Sequence, residues 1–156
     1  MHLTKFSDYS LRVLIYLALH TDRPVSVSEI SRAYRVSSHI VVKVVQALIA
    51  DGLVTSVRGR HGGLRLHQLP EQINVGALVR RYEPTWDLVE CFDPPTNTCP
   101  IAPACGLKGA LQRAQRAFLG VLEEHTLADF LPRSAALTRL LRVSLEQSPR
   151  VDVEGS

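Results

Sequence analysis

Apolar residues recur at helical spacing through the N-terminal third of the chain, and this period predicts successive helices. The first predicted helix covers residues 5–20 and carries one apolar stripe made of Leu11, Leu14, Ile15 and Ala18. After the break "TDRP", a shorter helix continues to Tyr34. Its start carries a capping-box pattern, in which Ser26 is followed three residues later by Glu29.

A third helix is predicted over residues 38–51, with Ser37 or Ser38 as its cap and Gly52 as its C-terminal stop. Its buried stripe consists of Val41, Val44, Val45 and Leu48. The apolar period then changes around a glycine-rich tip, which predicts a β-hairpin over residues 53–66. Helices joined by a tight turn and followed by a hairpin are typical of a winged helix-turn-helix. We therefore expect a mainly α fold with a small β-hairpin wing.

The C-terminal half predicts a short helix in "NVGALVRRYE", a long helix over residues 106–125 and another over residues 134–146. The long helix carries a seam with alternating spacings of four and three residues, formed by Leu107, Leu111, Ala114, Phe118 and Val121. This seam fits a dimerisation helix or a helix packed on its own domain. We expect four regions: a winged helix-turn-helix over 1–82, a cysteine-rich loop over 83–105, dimerisation and C-terminal helices over 106–147, and a disordered tail over 148–156.

Composition and charge narrow the class of protein. The chain lacks a signal-peptide pattern and any apolar run of roughly 18 residues, so we expect a cytoplasmic protein without a membrane partner. Residues 1–66 contain nine Lys and Arg against four Asp and Glu, a net charge of +5, whereas the remainder has a net charge of −2. This asymmetry favours a polyanion partner for the N-terminal half. No Ser–His–Asp or paired-carboxylate pattern indicates an enzyme.

The third helix exposes a polar face suited to the major groove of DNA. His39, Lys43 and Gln46 recur at i, i+4 and i+7. Lys43 can donate to guanine or to a phosphate, and Gln46 can pair with adenine. Ser37 and Ser38 stand at the helix start, where hydroxyl and free backbone N–H groups can hold a phosphate. The alternative is an ordinary solvated face.

The hairpin tip strengthens the DNA-binding interpretation. Its basic residues are Arg58, Arg60, His61 and Arg65. The glycines between them allow a tight turn and a close approach to phosphate. Arginines on such a wing can enter a narrow minor groove or clamp its phosphates. The glycine spacing matches neither common nucleotide-binding loop.

Three cysteines, Cys91, Cys99 and Cys105, stand in one proline-rich stretch with the spacing C-x7-C-x5-C. Reduced thiols clustered in this way more often bind metal than form disulfides. The spacing contains no C-x-x-C pair, which argues against common zinc ribbons. An iron–sulfur cluster with a fourth ligand from elsewhere, a zinc site, and free or redox-active thiols all remain open.

Several stretches resemble the iron–sulfur-dependent winged-helix transcriptional repressors, and the likeness extends from residue 1 to about residue 131. Those stretches are "LTKFSDYSLRVLIYLA", "VVKVVQAL", "GLVTSVRGRHGGLRL" and "CFDPPTNTCPIAPACGLKGAL". The resemblance is strongest to the nitric-oxide-sensing branch. It implies a homodimer that binds a palindromic double-stranded operator. It further implies that the three cysteines hold a cluster, 4Fe–4S in preference to 2Fe–2S.

The same resemblance implies that Asp8 is the fourth cluster ligand, supplied by the partner subunit. The alternative role for Asp8 is a first-turn carboxylate that interacts with the helix dipole. In the cluster-assembly regulators of the family a histidine follows the last cysteine by three residues. Here that position is Lys108, which argues against that branch. Redox poise and iron supply remain alternative signals, and structural zinc remains an alternative metal.

Overall fold

Three helices and a two-stranded hairpin form the N-terminal half, as the sequence predicts. The computed structural model describes residues 2–60 and 62–147. Its first elements are α1 (Lys5–Leu19), α2 (Val27–Tyr34), α3 (Ser38–Ala50), β1 (Val54–Val57) and β2 (Gly63–Leu66). The two strands pair antiparallel, with Val54 opposite Leu66. Val25 extends the hairpin through backbone hydrogen bonds with Leu64 of 3.0 and 2.8 Å, so the wing is joined to the connection between α1 and α2.

The C-terminal half adds three helices, and their predicted positions are confirmed. They are α4 (Val75–Tyr82), α5 (Gly106–Glu123) and α6 (Ser134–Gln147). A short 3-10 turn at Pro70–Gln72 precedes α4, and further turns at Glu90–Phe92, Ala102–Ala104 and Leu127–Phe130 separate the helices. None of the helices in the described part of the chain is long and apolar enough to cross a membrane. The tail predicted over 148–156 lies outside the described residues.

Local hydrogen bonds account for the ends of these helices. Ser26 Oγ accepts a bond of 3.1 Å from Glu29 N, which is half of the predicted capping box. The second predicted bond, from Ser26 N to the Glu29 carboxylate, is wrong, because that carboxylate accepts from Tyr16 Oη at 2.9 Å and from Arg23. Gly52, with φ of 67°, ends α3 as predicted. Gly52 N donates to Ile49 O and the next amide donates to the carbonyl of residue 48, which is a Schellman motif.

Helix α1 lies at the centre of the core, and its predicted stripe is only partly correct. Of the four predicted residues Leu14 is fully buried, whereas Leu11, Ile15 and Ala18 are half-buried. The other fully buried apolar residues are Val13, Tyr16 and Leu17. The buried face is broad because α3, α4 and β2 all pack against this helix. It includes Ser10, whose hydroxyl donates to Phe6 O at 2.7 Å.

The long helix α5 rests on α4 near its C-terminal end and leaves much of its seam open. A Cβ atom at Gly76 would lie 2.5 Å from Glu123 N, so only glycine allows this approach. Leu119 is the buried residue of α5, whereas Leu107 and Val121 of the predicted seam are 66% and 56% exposed. Of the remaining seam residues, Leu111 and Phe118 are half-buried and Ala114 is exposed. Within one chain, therefore, the seam is not a core stripe.

The last helix returns to the N-terminal half. Helix α6 packs against α2, and its Leu141 and Leu145 cover the edge of the core. Arg35 Nη2 donates to Gln147 Oε1 at 2.9 Å. Arg35 itself has a left-handed backbone, with φ of 54°, at the turn between α2 and α3. The C-terminal helix therefore supports the first helix of the helix-turn-helix pair.

Candidate DNA-reading surface and cysteine loop

Helix α3 has the two faces that its sequence predicts. All four residues of the apolar stripe are buried, and Val41, Val44 and Leu48 are fully so. His39, Lys43 and Gln46 are exposed on the other side. A helix with a buried stripe and a polar outer face, second in a helix-turn-helix pair, can lie in the major groove. The individual base contacts of these three residues stay predictions.

The start of α3 is built differently from the predicted cap. Ser37 occupies the N-cap position, but its hydroxyl makes no capping hydrogen bond. Ser38 Oγ donates to Ser31 Oγ at 3.0 Å, and Ser31 Oγ donates in turn to Val36 O at 2.5 Å. The Ser38 hydroxyl therefore ties the two helices of the pair together. Both serines remain exposed, so phosphate contacts by them stay predictions.

The wing carries two exposed arginines at its tip. Arg58 and Arg60 flank Gly59, whose φ of 112° favours glycine. Gly62 N closes the tip by donating to Gly59 O at 2.9 Å, and a Cβ at Gly62 would lie 2.3 Å from a backbone oxygen. His61, predicted as a further DNA contact, lies outside the described residues.

Arg65 sits farther back on the wing and already has partners. Its Nη1 donates to Thr21 O at 2.7 Å and its Nη2 to Asp22 O at 3.3 Å. These bonds join β2 to the connection after α1. Arg65 therefore positions the wing, and its predicted DNA contact stays a prediction.

The cysteine loop lies between α4 and α5, and a contact between Glu90 and Thr98 joins two of its segments. Thr98 donates to Glu90 Oε1 through its backbone N and, at 2.6 Å, through its hydroxyl. These hydrogen bonds hold the pKa of Glu90 below its usual range. Because Glu90 precedes Cys91 and Thr98 precedes Cys99, the pair brings two cysteine-bearing segments together. Sequence reasoning missed Glu90, since nothing in a glutamate eight residues from a threonine signals this contact.

The donor set of the loop fits an iron–sulfur cluster in its chemistry. Cys91, Cys99 and Cys105 are all free and half-buried, and soft thiolates are the ligands that such clusters take. Cys105 is also the N-cap residue of α5, so the third thiol is attached directly to the long helix. Among the described residues, no three His, Cys, Asp or Glu side chains are grouped closely enough to hold one metal ion.

Asp8 lies in the first turn of α1 and is paired within its own helix. Arg12 donates to it from Nε at 2.9 Å and from Nη2 at 2.7 Å. About two fifths of each side chain is exposed, at 41% for Asp8 and 42% for Arg12. Asp8 belongs to no ligand group with the cysteines in the described residues. Its predicted ligand role, from the partner subunit, stays a prediction.

A second cluster of charged residues, which the sequence did not suggest, links the end of α4, where the cysteine loop begins, to α3. Asp51, directly after α3, accepts from Arg81 Nε at 2.6 Å and from Tyr82 Oη at 2.8 Å. The Arg81 hydrogen bonds hold the pKa of Asp51 below its usual range. Burial, together with the bond to Asp51, raises the pKa of Tyr82. Next in the chain, Glu83 Oε1 accepts from Thr4 N at 2.8 Å and from Thr4 Oγ1 at 3.1 Å.

Comparisons with known proteins found relatives of this chain in both sequence and structure. The profile of the Rrf2 family, described as an iron-dependent transcriptional regulator, matches residues 3–133. The regulator NsrR of Halalkalibacterium halodurans is 45% identical over 92% of this chain and 99% of its own length. NsrR of Bacillus subtilis is 42% identical over 92% and 99%. Among solved structures, IscR of T. potens has a TM-score of 0.67 at 26% identity, covering 84% of this chain and 86% of that chain. CymR, the global cysteine regulator of B. subtilis, has a TM-score of 0.67 at 28% identity, covering 83% and 95%.

Proposed function

The chain belongs to the Rrf2 family of iron-dependent transcriptional regulators, and we propose that it is a homodimeric repressor whose operator binding is controlled by a nitric-oxide-responsive iron–sulfur cluster. Family membership makes the protein a DNA-binding transcriptional regulator, not an enzyme, as the sequence predicted. The cluster, the signal and the dimer are the parts that we propose.

The observation that carries the proposal is the position of the three free thiols. They stand in one loop whose ends adjoin α4, which packs on the DNA-reading half, and α5, which carries the open apolar seam. A ligand bound in this loop contacts the connection between the reading surface and the proposed dimer helix. From this place a bound group can alter the spacing of the two winged helix-turn-helix regions of a dimer, residues 1–82 of each subunit, which we call the reading heads.

Cys91, Cys99 and Cys105 would hold the cluster as thiolates, with 4Fe–4S favoured over 2Fe–2S, and Asp8 of the partner subunit would complete the set. When bound, the cluster supplies iron that reacts with nitric oxide. A carboxylate oxygen is a weaker ligand for this iron than thiolate. Asp8 would therefore be the ligand most easily exchanged, and Arg12, one turn away, pairs with it in the structure.

The residues of the chain convert this exchange into a change in DNA binding. Asp8 is part of α1, and α1 packs on α3 in the middle of the head. Release of Asp8 would break a tie between the cysteine loop of one subunit and α1 of the other. A palindromic operator requires two recognition helices at a defined separation, so heads that can shift lose affinity.

The open seam of α5 supports the homodimer. Leu107 and Val121 together expose two large apolar side chains on one side of a helix of 18 residues. Apolar stripes of this kind are normally covered. Two symmetry-related α5 helices that cross along this seam would bury it and would place two heads for half-sites.

Anaerobic purification followed by titration with nitric oxide tests the proposal. The expected protein is brown, contains iron and sulfide in stoichiometric amounts and elutes as a dimer. A fluorescein-labelled duplex, enriched from a random library by the cluster-loaded protein, serves as the DNA probe. The fluorescence anisotropy of this duplex should then fall as nitric oxide is added, because the protein releases it.

The alternatives give different results in the same experiment. A colourless protein with bound zinc supports a structural metal site, and a metal-free protein supports a thiol switch. A brown protein could also keep its DNA after nitric oxide is added and release it only after oxidation or iron chelation. That result would show that the protein responds to redox state or iron supply instead of nitric oxide. Any of these results contradicts the corresponding part of the proposal.

A further inference from the structure

We propose that Arg81 and Tyr82 are positioning residues that transmit the state of the cysteine loop to the C-terminal end of recognition helix α3, an inference that rests on the proposed cluster-controlled DNA binding. The two residues form the end of α4, where the loop toward Cys91 begins. Both bind Asp51, the residue that caps α3.

The contact with α3 is well defined on both sides. The Asp51 side chain is only 12% exposed. Arg81 donates to both of its carboxylate oxygens, and Tyr82 Oη donates to Oδ2. The Tyr82 ring is itself fixed by an edge-to-face contact with Phe6 of α1, at 5.2 Å between centroids. A movement of residues 81–82 is therefore transferred to Asp51 and to the Schellman turn at Gly52. Since α3 is the predicted reading helix, its tilt in the major groove follows this end.

The same segment also holds the start of α1. Glu83 accepts from the backbone N and the hydroxyl of Thr4, the N-cap residue of α1. Asp8 lies one turn farther along, and its backbone N donates to Thr4 O at 3.0 Å. Three consecutive residues, 81 to 83, therefore bind the start of α1, which carries Asp8, and the end of α3. A shift of the end of α4 together with Glu83, the first residue of the cysteine loop, therefore acts on both α1 and α3.

A neighbouring ion pair provides the contrast. Arg80 Nε donates to Glu123 Oε1 at 3.1 Å, so this ion pair links α4 to α5 and does not reach α3. Arg80 and Arg81 are adjacent, both exposed, and both paired with a carboxylate. Substitution of either removes one positive charge and one arginine–carboxylate ion pair. Only Arg81 is connected to α3.

The test compares an Arg81→Gln/Tyr82→Phe double variant with an Arg80→Gln control. Tyr82→Phe removes the hydroxyl but keeps the ring against Phe6. Operator affinity is measured by anisotropy for the cluster-loaded and the cluster-free forms of each protein, on the duplex enriched by the wild type. Hydrogen exchange of the amides of residues 47–53 is followed in the same samples.

In the wild type and in Arg80→Gln, we expect cluster loading to raise affinity by roughly tenfold or more, within the usual range of coupling between two sites. In the double variant this ratio should fall to about twofold or less, at equal iron content. Cluster loading should also slow exchange at residues 47–53 in the wild type but not in the double variant.

An unchanged affinity ratio in the double variant would overturn the inference. So would an equal loss of affinity in both forms at an unchanged ratio, because a merely structural contact acts on both alike. If the two wild-type forms bind the duplex equally, the proposed function fails as well, and this outcome is distinct from the other two.

Discussion

The Asp8 carboxylate and the Arg12 guanidinium form a two-point ion pair across one turn of α1, with an Nη2–Oδ2 distance of 2.7 Å and an Nε–Oδ1 distance of 2.9 Å. The guanidinium also lies 5.5 Å from the ring centre of Tyr9 and 5.9 Å from that of Tyr34. Arg12 therefore keeps favourable contacts when Asp8 leaves it. Arg12 therefore competes with the cluster for Asp8, and it can stay on the Tyr9 and Tyr34 rings when Asp8 binds the cluster.

Arg12→Gln should make Asp8 more available to the cluster, and the effect should be small. Exposed ion pairs at i,i+4 stabilise by about 0.3–0.5 kcal/mol, which corresponds to roughly a twofold change in an equilibrium constant. We expect about twofold slower loss of iron to a chelator, followed by visible absorption. Arg12→Lys keeps a cation but loses the two-point geometry, so its rate of iron loss should lie between those of the wild type and Arg12→Gln. Faster iron loss in Arg12→Gln would show that Arg12 supports the site instead of competing with it.

Asp8→Asn should weaken cluster retention much more strongly. An amide oxygen is a poorer ligand for iron than a carboxylate, so at least tenfold faster iron loss corresponds to the expected cost of about 1.4 kcal/mol or more. The control is Asp22→Asn, which removes an exposed carboxylate from the connection after α1. Equal retention in the two variants would remove Asp8 from the ligand set.

Lys43→Ala and Arg58→Ala should each lower operator affinity and reduce the slope of log affinity against log salt by about one, if each neutralises one phosphate. Arg65→Ala is the informative comparison, because it also removes the bonds to Thr21 and Asp22. It should lower the thermal midpoint of the protein, which Arg58→Ala should leave unchanged. Unaltered affinity and slope in both Lys43→Ala and Arg58→Ala would rule out this surface.

Gly76→Ala should separate α4 from α5. The added Cβ would lie 2.5 Å from Glu123 N, which a backbone cannot accommodate without moving. Overpacking of this kind costs about 1–3 kcal/mol, measurable by denaturant unfolding. The control, Gly109→Ala, would place its Cβ 3.8 Å from a flexible arginine tip. It should leave stability unchanged or raise it by up to about 1 kcal/mol, through helix propensity.

The Asp51 contact should depend on pH only in acid. Because the Arg81 hydrogen bonds depress the pKa of Asp51, its contribution to stability is complete above the unfolded pKa of about 3.9 and is lost as pH falls through the folded value. The difference in unfolding free energy between wild type and Asp51→Asn should be constant from pH 8 to about 5 and shrink below about 4. A difference that varies between pH 6 and 8 would point to another titrating group.

Local patterns allowed much of this protein to be predicted from its sequence. The stripe of α3, the Ser26 cap, the Gly52 stop and the glycine-rich wing depend on residues within a few positions of one another. Such short-range constraints are written directly in residue spacing. The three clustered cysteines likewise indicated a site before any fold was known, because no helix or strand is needed to bring them into one loop.

Only the tertiary structure decided which distant residues meet. Arg65 binds the carbonyls after α1, Asp51 meets Arg81, and α6 returns to α2 through Arg35. These pairs are separated by 44, 30 and 112 positions, and their contacts depend on how the helices pack, which no local period encodes. The sequence by itself determined a winged reading head and a thiol loop. Packing decided that the end of α4 and Glu83 are tied to the start of α1 and the end of α3, because Thr4, Phe6 and Asp51 meet them there.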